Sequence, residues 1–330
     1  MTSSTFDPAF YPAWWLPDGH SQTVWRKFKL QSKLKQNRQR IELEDGDFLD
    51  LDWVNQSALS EDKTKPIVFI VHGLCGCSKS EYILSLQQLL TASGYASVAL
   101  NFRGCSGEIN RLAKAYHSGI TEDLDEAFQN LAALHPDRNF AFVGYSLGAN
   151  VLLKWLGEIK GKDSVTKAVA VSTPFSLAYC SRSMLRGLTQ AYGKFFLRKL
   201  VRDVKKKQAH FEAIGNTQQL EKITSLGGLD NISTIWEFDD RVTAPLHGFK
   251  DAEDYYEQCS SIGYMKNIAT ETLLIQSRND PLIPSSSLPD IDNLAGNVHL
   301  QLSDNGGHVG FVAAKQKQWL EHRIIDFLRS

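Results

Sequence analysis

The chain has 330 residues, of which 42% are hydrophobic, and its formal net charge at pH 7 is -1. This length allows one large core, and an α/β domain with an insertion fits it as well as two separate domains do. The near-neutral charge gives no electrostatic basis for binding nucleic acid or an anionic membrane, so no nucleic-acid partner is expected. The sequence leaves the oligomeric state open.

The cysteines and the absence of long apolar runs indicate the compartment. The five cysteines are odd in number and scattered, which predicts reduced thiols rather than a disulfide framework. Residues 1–25 contain prolines and charges where a signal peptide needs an unbroken apolar run. No stretch approaches ~18 apolar residues, so we expect no membrane-spanning helix and a cytoplasmic location.

In chain order, the first predicted elements are two strands, QRIEL and FLDLDWV. In both, residues expected to face inward alternate with residues expected to face outward, and the turn EDGD lies between them, which predicts a β-hairpin. Further short apolar runs follow, most of them separated by segments with apolar residues at helical spacing. The predicted strands are KPIVFIVHG, YASVALNFRG, NFAFVGYS, TKAVAVSTP, ETLLIQSRND and NVHLQLSDNGGH. The predicted helices are EYILSLQQLLTASG, TEDLDEAFQNLAAL, ANVLLKWLGEIK and AAKQKQWLEHRIIDFL.

This alternation breaks once, after the sixth strand, where residues 172–267 are mostly helical and aromatic. We predict an eight-stranded, mostly parallel sheet with helices on both faces, formed by residues 40–171 and 268–330. An N-terminal segment, residues 1–39, is expected to pack on this α/β core. The helical insertion, residues 172–267, is expected to lie over the carboxyl edge of the sheet, where open α/β sheets bind ligands, and to act as a lid.

The segment GYSLG, residues 144–148, is the first candidate for chemistry. The G-x-S-x-G pattern alone is a weak signal. Here, however, a predicted strand runs into Ser146 and a predicted helix leaves it, as a nucleophile elbow requires. Gly144 and Gly148 stand where a side chain would block the close approach of strand and helix. This context favours a nucleophile over a serine that only caps a helix.

An acyl-transfer site also needs backbone N–H groups aimed at the oxygen that becomes negatively charged. Leu147, directly after the serine, is predicted to supply one such group. Leu74, in the loop VHGLCG after the third strand, is predicted to supply the other. The same loop places Cys75 and Cys77 near His72, but no second ligand pair follows at a zinc-site spacing. We therefore expect no metal ion and no organic cofactor.

The general base must be one of nine histidines. In this order of elements the acid follows the nucleophile and the histidine lies beyond the last strand. His308, in the glycine-rich loop DNGGHVGF, occupies that position. Asp280 in RNDPLIP, just beyond the seventh strand, is the predicted acid, and Asp304 is its competitor. Four other histidines are expected to be structural: His20, His117, His299 and His322. For His20, a position at the border of the pocket is an alternative.

Taken together, GYSLGAN, VHGLCGCSKSEYI, NFRGCSGE, RNDPLIP and GGHVGF resemble the α/β-hydrolases. WWLPDGHSQT and FDDRVTAPLHGFKDAEDYY are more specific, and with them nearly the whole chain resembles the YheT-like esterases of the α/β-hydrolase-4 group. The resemblance implies a charge relay of Ser146, Asp280 and His308. It also implies hydrolysis of carboxylic esters by a short-chain esterase or an acylglycerol lipase, with the natural substrate left open.

The insertion and the substrate each allow more than one interpretation. YGKFFLRKLVRDVKKKQAH is typical of an amphipathic helix packed on the sheet domain with its lysines in water, which we favour. The same pattern also fits a helix that touches a membrane surface transiently, or an acidic substrate. A catalytically silent binding module is a second possibility for the whole chain, and thioesters or amides are alternative substrates. All three triad residue types are present, which favours an enzyme, but the fold does not name the substrate.

Overall fold

The computed structural model describes residues 8–26 and 34–330. Residues 1–7 and 27–33 of the predicted N-terminal segment lie outside the described residues. The centre is one eight-stranded sheet with the order β1-β2-β4-β3-β5-β6-β7-β8. The strands are β1 Asn37–Glu42, β2 Phe48–Val54, β3 Ile67–Val71, β4 Ser97–Asn101, β5 Phe140–Tyr145, β6 Val165–Val171, β7 Glu271–Ser277 and β8 Val298–Ser303.

The sheet is mostly parallel, as predicted. Strand β2 runs antiparallel to both of its neighbours, β1 and β4, while every pair from β4 to β8 is parallel. Strands β3, β4 and β5 are buried along their whole length, which explains their continuous apolar sequences. The carboxyl ends of the parallel strands therefore meet at one edge of the sheet.

Helices cover both faces of the sheet. Because side chains alternate along a strand, Phe69 of β3 belongs to one apolar cluster and Ile70 to the other. Helices α4 and α5 pack into the first cluster, and α3 and α12 into the second. The helices are α1 Gly19–Trp25, α2 Ala58–Glu61, α3 Glu81–Ala92, α4 Thr121–Leu134, α5 Leu147–Ile159, α6 Leu177–Ser183, α7 Gln190–Ala213, α8 Thr217–Thr224, α9 Ile235–Phe238, α10 Ala244–His247, α11 Ala252–Cys259 and α12 Trp319–Arg329.

The insertion between β6 and β7 is helical. It contains α6 to α11 with short connecting turns, and its described residues include no strand. Part of it has an apolar cluster of its own, with Leu197, Ile232 and Phe238 among the buried members. No helix in the described part of the chain is both long and apolar enough to cross a membrane.

Two predictions about individual elements are wrong. Strand β2 does not alternate between buried and exposed residues: all seven of its residues are buried. Its two aspartates, Asp50 and Asp52, accept hydrogen bonds from arginines of β1 instead of facing water. The last helix begins at Trp319 rather than Ala313, because residues 312–314 are extended backbone bonded to residues 11–13.

Candidate active site

Ser146 lies in the sharp turn between β5 and α5. Its backbone has φ 52° and ψ -123°, a strained conformation for a residue with a side chain. The two flanking glycines allow the turn to close: a Cβ at Gly144 would lie 2.7 Å from Cα of Ala149, and one at Gly148 would overlap the carbonyl oxygen of His72. The N–H of Ser146 donates to the carbonyl of Val171 (2.9 Å), which holds the turn against β6.

The structure brings Ser146, His308 and Asp280 together. Nε2 of His308 lies 2.8 Å from Oγ of Ser146, and Nδ1 lies 2.8 Å from Oδ2 of Asp280. An ionised carboxylate only accepts hydrogen bonds, so Nδ1 carries the proton and Nε2 accepts from the serine hydroxyl. Oδ1 of Asp280 accepts from the N–H groups of Leu282 and Ile283, which fixes the buried carboxylate in place.

The competing candidates lie elsewhere. Asp304 is exposed and pairs with Arg278. Of the four other candidate histidines, His117 lines the same cavity, as does His247 of α10; His117 is buried and its Nδ1 accepts from the N–H of Gly119. The remaining three lie elsewhere. His20 contacts Tyr192 of the insertion, His299 pairs with Glu271, and His322 is exposed on α12.

The loop after β3 places Leu74 in the lining of the same cavity as Ser146. The amides on either side of Leu74 are held: the N–H of Gly73 donates to the hydroxyl of Tyr82 (3.0 Å) and that of Cys75 to the hydroxyl of Tyr116 (2.8 Å). Within the described residues, the N–H groups of Leu74 and Leu147 have no acceptor. Sequence reasoning missed both tyrosines, because no local pattern marks a hydroxyl that binds a loop from another element.

His72 shapes this loop rather than binding an ion. Its Nδ1 donates to the carbonyl of Gly73 (2.8 Å), and its Nε2 accepts from the N–H of Phe102 (3.3 Å). Burial lowers the pKa of His72 to about 4, so the ring is neutral. Both ring nitrogens are thus engaged with backbone, and neither is available to join Cys75 and Cys77 in a metal site. In the part of the chain that the structure describes, no group of three potential metal-binding side chains occurs.

A cavity of about 440 Å³ opens from Ser146 and His308 toward the insertion. Its volume falls in the usual range for small-molecule sites, and most of its lining is apolar. Helix α7 forms one wall through Phe196, Leu200 and Val204. These residues recur every four positions and so share one face of the helix.

Lys207 ends this wall. It is buried, and its ammonium donates to the carbonyls of Leu112, Ala113 and Lys114 at 2.7–3.3 Å. Burial lowers the pKa of Lys207 to about 7. The lysines and arginines elsewhere on α7 are exposed or half-buried. One lysine of α7 thus ties the insertion to the loop between β4 and α4, while the other basic side chains of the helix remain at least partly in water.

Known proteins resemble this chain in sequence and in fold. The family model described as alpha/beta hydrolase fold matches residues 66–314. The chain is 38% identical to the Escherichia coli (strain K12) protein named "Putative esterase YheT", over 97% of this chain and 92% of that protein. It is 29% identical to the Homo sapiens protein named "Phospholipase ABHD3", over 97% of this chain and 78% of that protein.

Among solved structures, the Pyrococcus furiosus esterase Pf2001 superimposes with a TM-score of 0.58. The match covers 90% of this chain and 91% of that one. At 18% identity this similarity shows the fold alone. The family match and the close relative together establish that the chain belongs to the α/β-hydrolase family, among its YheT-like esterases.

Proposed function

We propose that the chain hydrolyses carboxylic esters with Ser146 as nucleophile, His308 as general base and Asp280 as the acid that orients it. The observation that supports this most directly is the position of the imidazole, which bridges Oγ of Ser146 and Oδ2 of Asp280 at 2.8 Å each. The N–H groups of Leu74 and Leu147 form the oxyanion hole in this proposal.

The reaction has two halves. Oγ of Ser146 attacks the ester carbonyl carbon while Nε2 of His308 takes the hydroxyl proton, and the carbonyl oxygen becomes the oxyanion. Collapse of this intermediate breaks the bond to the alcohol oxygen, which receives the proton from Nε2. Water then attacks the acyl-enzyme with His308 again as base, and the carboxylic acid and free Ser146 are released. Asp280 stabilises the imidazolium in both halves.

The cavity supports an ester with a medium or long acyl chain. A volume of 440 Å³ is about 15 times the volume of a water molecule in the liquid. From Phe196 to Lys207 the wall extends about 17 Å along α7, at the rise of an α-helix. An acetyl group would leave most of this apolar space empty. In this proposal residues 172–267 are the lid that encloses the acyl chain.

The same lid provides a surface for transient contact with lipid. Leu185 and Leu188 are 42% and 76% exposed. Residues 179–206, which include both and stop short of the buried Lys207, contain eight basic residues and one acidic residue. Apolar side chains beside a positive face suit the boundary of an anionic bilayer, from which a lipid ester would enter the cavity.

The test is hydrolysis of p-nitrophenyl esters from acetate to palmitate, with Ser146→Ala beside the wild type. Ser57→Ala, which changes an exposed serine away from the site, is the control. We expect Ser146→Ala to lower kcat by roughly 10⁴-fold or more, and Ser57→Ala to match the wild type. The rates of the wild type should be highest at medium or long chains.

Labelling with a fluorophosphonate probe separates the alternatives. A single adduct on Ser146 together with ester turnover agrees with the proposal. An adduct without turnover of any ester would indicate thioester or amide substrates. No adduct and no turnover would indicate a silent binding module, and equal turnover by wild type and Ser146→Ala would refute the role of the serine.

A further inference from the structure

The segment WWLPDGHSQT takes no part in the mechanism above, yet it lies against the loop that carries His308. Its second half forms the start of α1. A Cβ at Gly307 would overlap the carbonyl oxygen of Gly19, and a Cβ at Gly310 would lie 2.6 Å from that of Gln22. The two backbones are therefore as close as glycine allows.

The loop that carries His308 is strained. Gly306, Gly307, Val309 and Phe311 all have positive φ, at 148°, 61°, 57° and 43°. Val309 is β-branched and Phe311 is bulky, and both are strongly disfavoured in this region. A conformation of this kind persists only where its surroundings hold it.

Hydrogen bonds from three parts of the fold hold the loop. The N–H of Gly307 donates to Oδ1 of Asn279 (3.0 Å), beside the acid. The N–H of Val309 donates to Oγ of Ser172 (2.9 Å), at the end of β6. The N–H of His308 itself donates to Oγ1 of Thr23 on α1 (2.8 Å).

The Thr23 hydroxyl has one orientation that satisfies both of its contacts. Oγ1 lies 2.6 Å from the carbonyl oxygen of Gly19, which can only accept, so the hydroxyl hydrogen points there. Its lone pairs then face the N–H of His308. Valine has the same shape without the hydroxyl, and it would leave that N–H without a partner in a site where Thr23 is 8% exposed.

Helix α1 is itself fixed. Beyond its last residue, the buried Arg26 pairs with Glu81 of α3 (2.9 Å) and with Glu321 of α12. At its start, the ring of His20 stacks on Tyr192 of α7, with Nδ1 3.1 Å from the tyrosine hydroxyl. The helix is therefore anchored to both the core and the insertion, and it can serve as a rigid support.

We propose that Thr23 is a positioning residue for His308. By fixing the backbone of the base, its hydroxyl keeps Nε2 within reach of Ser146 while Nδ1 stays on Asp280. This inference rests on the proposed function, in which His308 is the general base. It gives the N-terminal motif a role in catalysis that involves no contact with substrate.

The test compares variants that separate the hydroxyl from the methyl group. Thr23→Val loses the hydroxyl, Thr23→Ser keeps it, and Thr23→Ala is a second hydroxyl-free variant should the valine not fold. Thr91→Val is the matched control, because Oγ1 of Thr91 makes the same bond to a carbonyl four residues earlier on α3 (2.8 Å) without touching the site. Each variant is assayed for kcat and KM on one ester, for the burst amplitude that counts active sites, and for the rate of fluorophosphonate labelling.

We expect Thr23→Val and Thr23→Ala to lower kcat and the labelling rate by about 10- to 100-fold with KM nearly unchanged, since a displacement of about 1 Å at a catalytic group has an effect of that size. Thr23→Ser should stay within about threefold of the wild type, and Thr91→Val should match it.

A loss of burst amplitude in proportion to activity would overturn the inference, because the remaining sites would then work normally and the role would be structural. Activity of the hydroxyl-free variants within twofold of the wild type, or a serine variant as slow as valine, would overturn it as well. Ser146→Ala keeps the two questions apart: an active Ser146→Ala refutes the proposed function, whereas an inactive one beside an active Thr23→Val refutes this inference alone.

Discussion

Gly73→Ala should impair catalysis with little effect on folding. Gly73 is outside the left-handed region, so alanine can adopt its backbone conformation. The obstacle is space: the added Cβ would lie 2.9 Å from Cβ of Ser146 and 3.1 Å from the carbonyl oxygen of Tyr145. The substitution therefore acts almost directly on Ser146, the proposed nucleophile.

The displacement can be worked from these distances. Ordinary contact begins at 3.4 Å, so the two Cβ atoms must separate by about 0.5 Å. The carbonyl of Tyr145 is part of β5 and yields little, while Ser146 is attached to a turn that is already strained. A misplacement of about 1 Å costs about 100-fold in rate, so half of that predicts a fall in kcat of about tenfold. Restricting the unfolded chain stabilises an alanine variant by about 0.4–1 kcal/mol, which offsets part of the steric cost.

The assay is kcat on a p-nitrophenyl ester together with urea unfolding. Gly228→Ala is the matched control, since a Cβ there meets nothing within 4 Å. We expect a slower Gly73→Ala whose free energy of unfolding lies within about 1 kcal/mol of the wild type. Undiminished kcat in Gly73→Ala would show that the position of Ser146 beside this loop does not limit the reaction, and the geometric reasoning would fail.

Three further outcomes are expected. Val204→Trp should block the far part of the cavity and abolish activity on palmitate while retaining activity on acetate, as an ester series would show. Glu321→Gln should cost about 3 kcal/mol of unfolding free energy because it breaks a buried pair with Arg26, whereas Asp304→Asn, which removes an exposed pair, should cost under about 1 kcal/mol. Urea unfolding should also show that the free energy of unfolding decreases as the pH is lowered from 6.5 to 5. In the folded chain burial lowers the pKa of three histidines, which therefore stay neutral, whereas in the unfolded chain the same histidines bind protons. Burial raises the pKa of Asp239 to about 6, so near pH 5 this carboxyl binds one proton in the folded chain and none in the unfolded chain. The unfolded chain therefore binds about two protons more than the folded chain, and the free energy of unfolding falls by roughly 3 kcal/mol per pH unit near pH 5. A free energy of unfolding that is independent of pH in this range would contradict the assignment. The three histidines are His72, His117 and His247, with pKa values of about 4, well below the ordinary value, and about 3.

The residues predicted to carry the reaction could be found from sequence because strand order fixes where each one falls. Ser146, Asp280 and His308 each follow a strand whose apolar pattern is unmistakable, and the parallel sheet brings those strand ends to one edge. Their meeting at hydrogen-bond distance therefore needed no knowledge of side-chain packing.

The supporting residues could not be found in that way. Thr23 meets His308 across 285 residues, and Tyr116 meets Cys75 across 41. Neither contact leaves a periodicity or a local pattern in the chain. The start of the last helix was misplaced for the same reason, since the pairing of residues 312–314 with residues 11–13 overrides the local helical preference. What escapes sequence reasoning here is long-range pairing of polar groups.

The contact between α1 and the His308 loop also sets an order of events during synthesis. Helix α1 has seven residues, too few to be stable alone, and the partners that anchor it follow along the chain: Glu81, then Tyr192, and then residues 306–321. The contact between Thr23 and His308 therefore forms only after a further 285 residues have been synthesised. The sheet can assemble strand by strand, but the proposed base is held beside Ser146 by Thr23 only when α1 and the loop of residues 306–311 meet. The activity of growing chains should therefore appear abruptly once residues 306–321 have been added, rather than rise steadily with length.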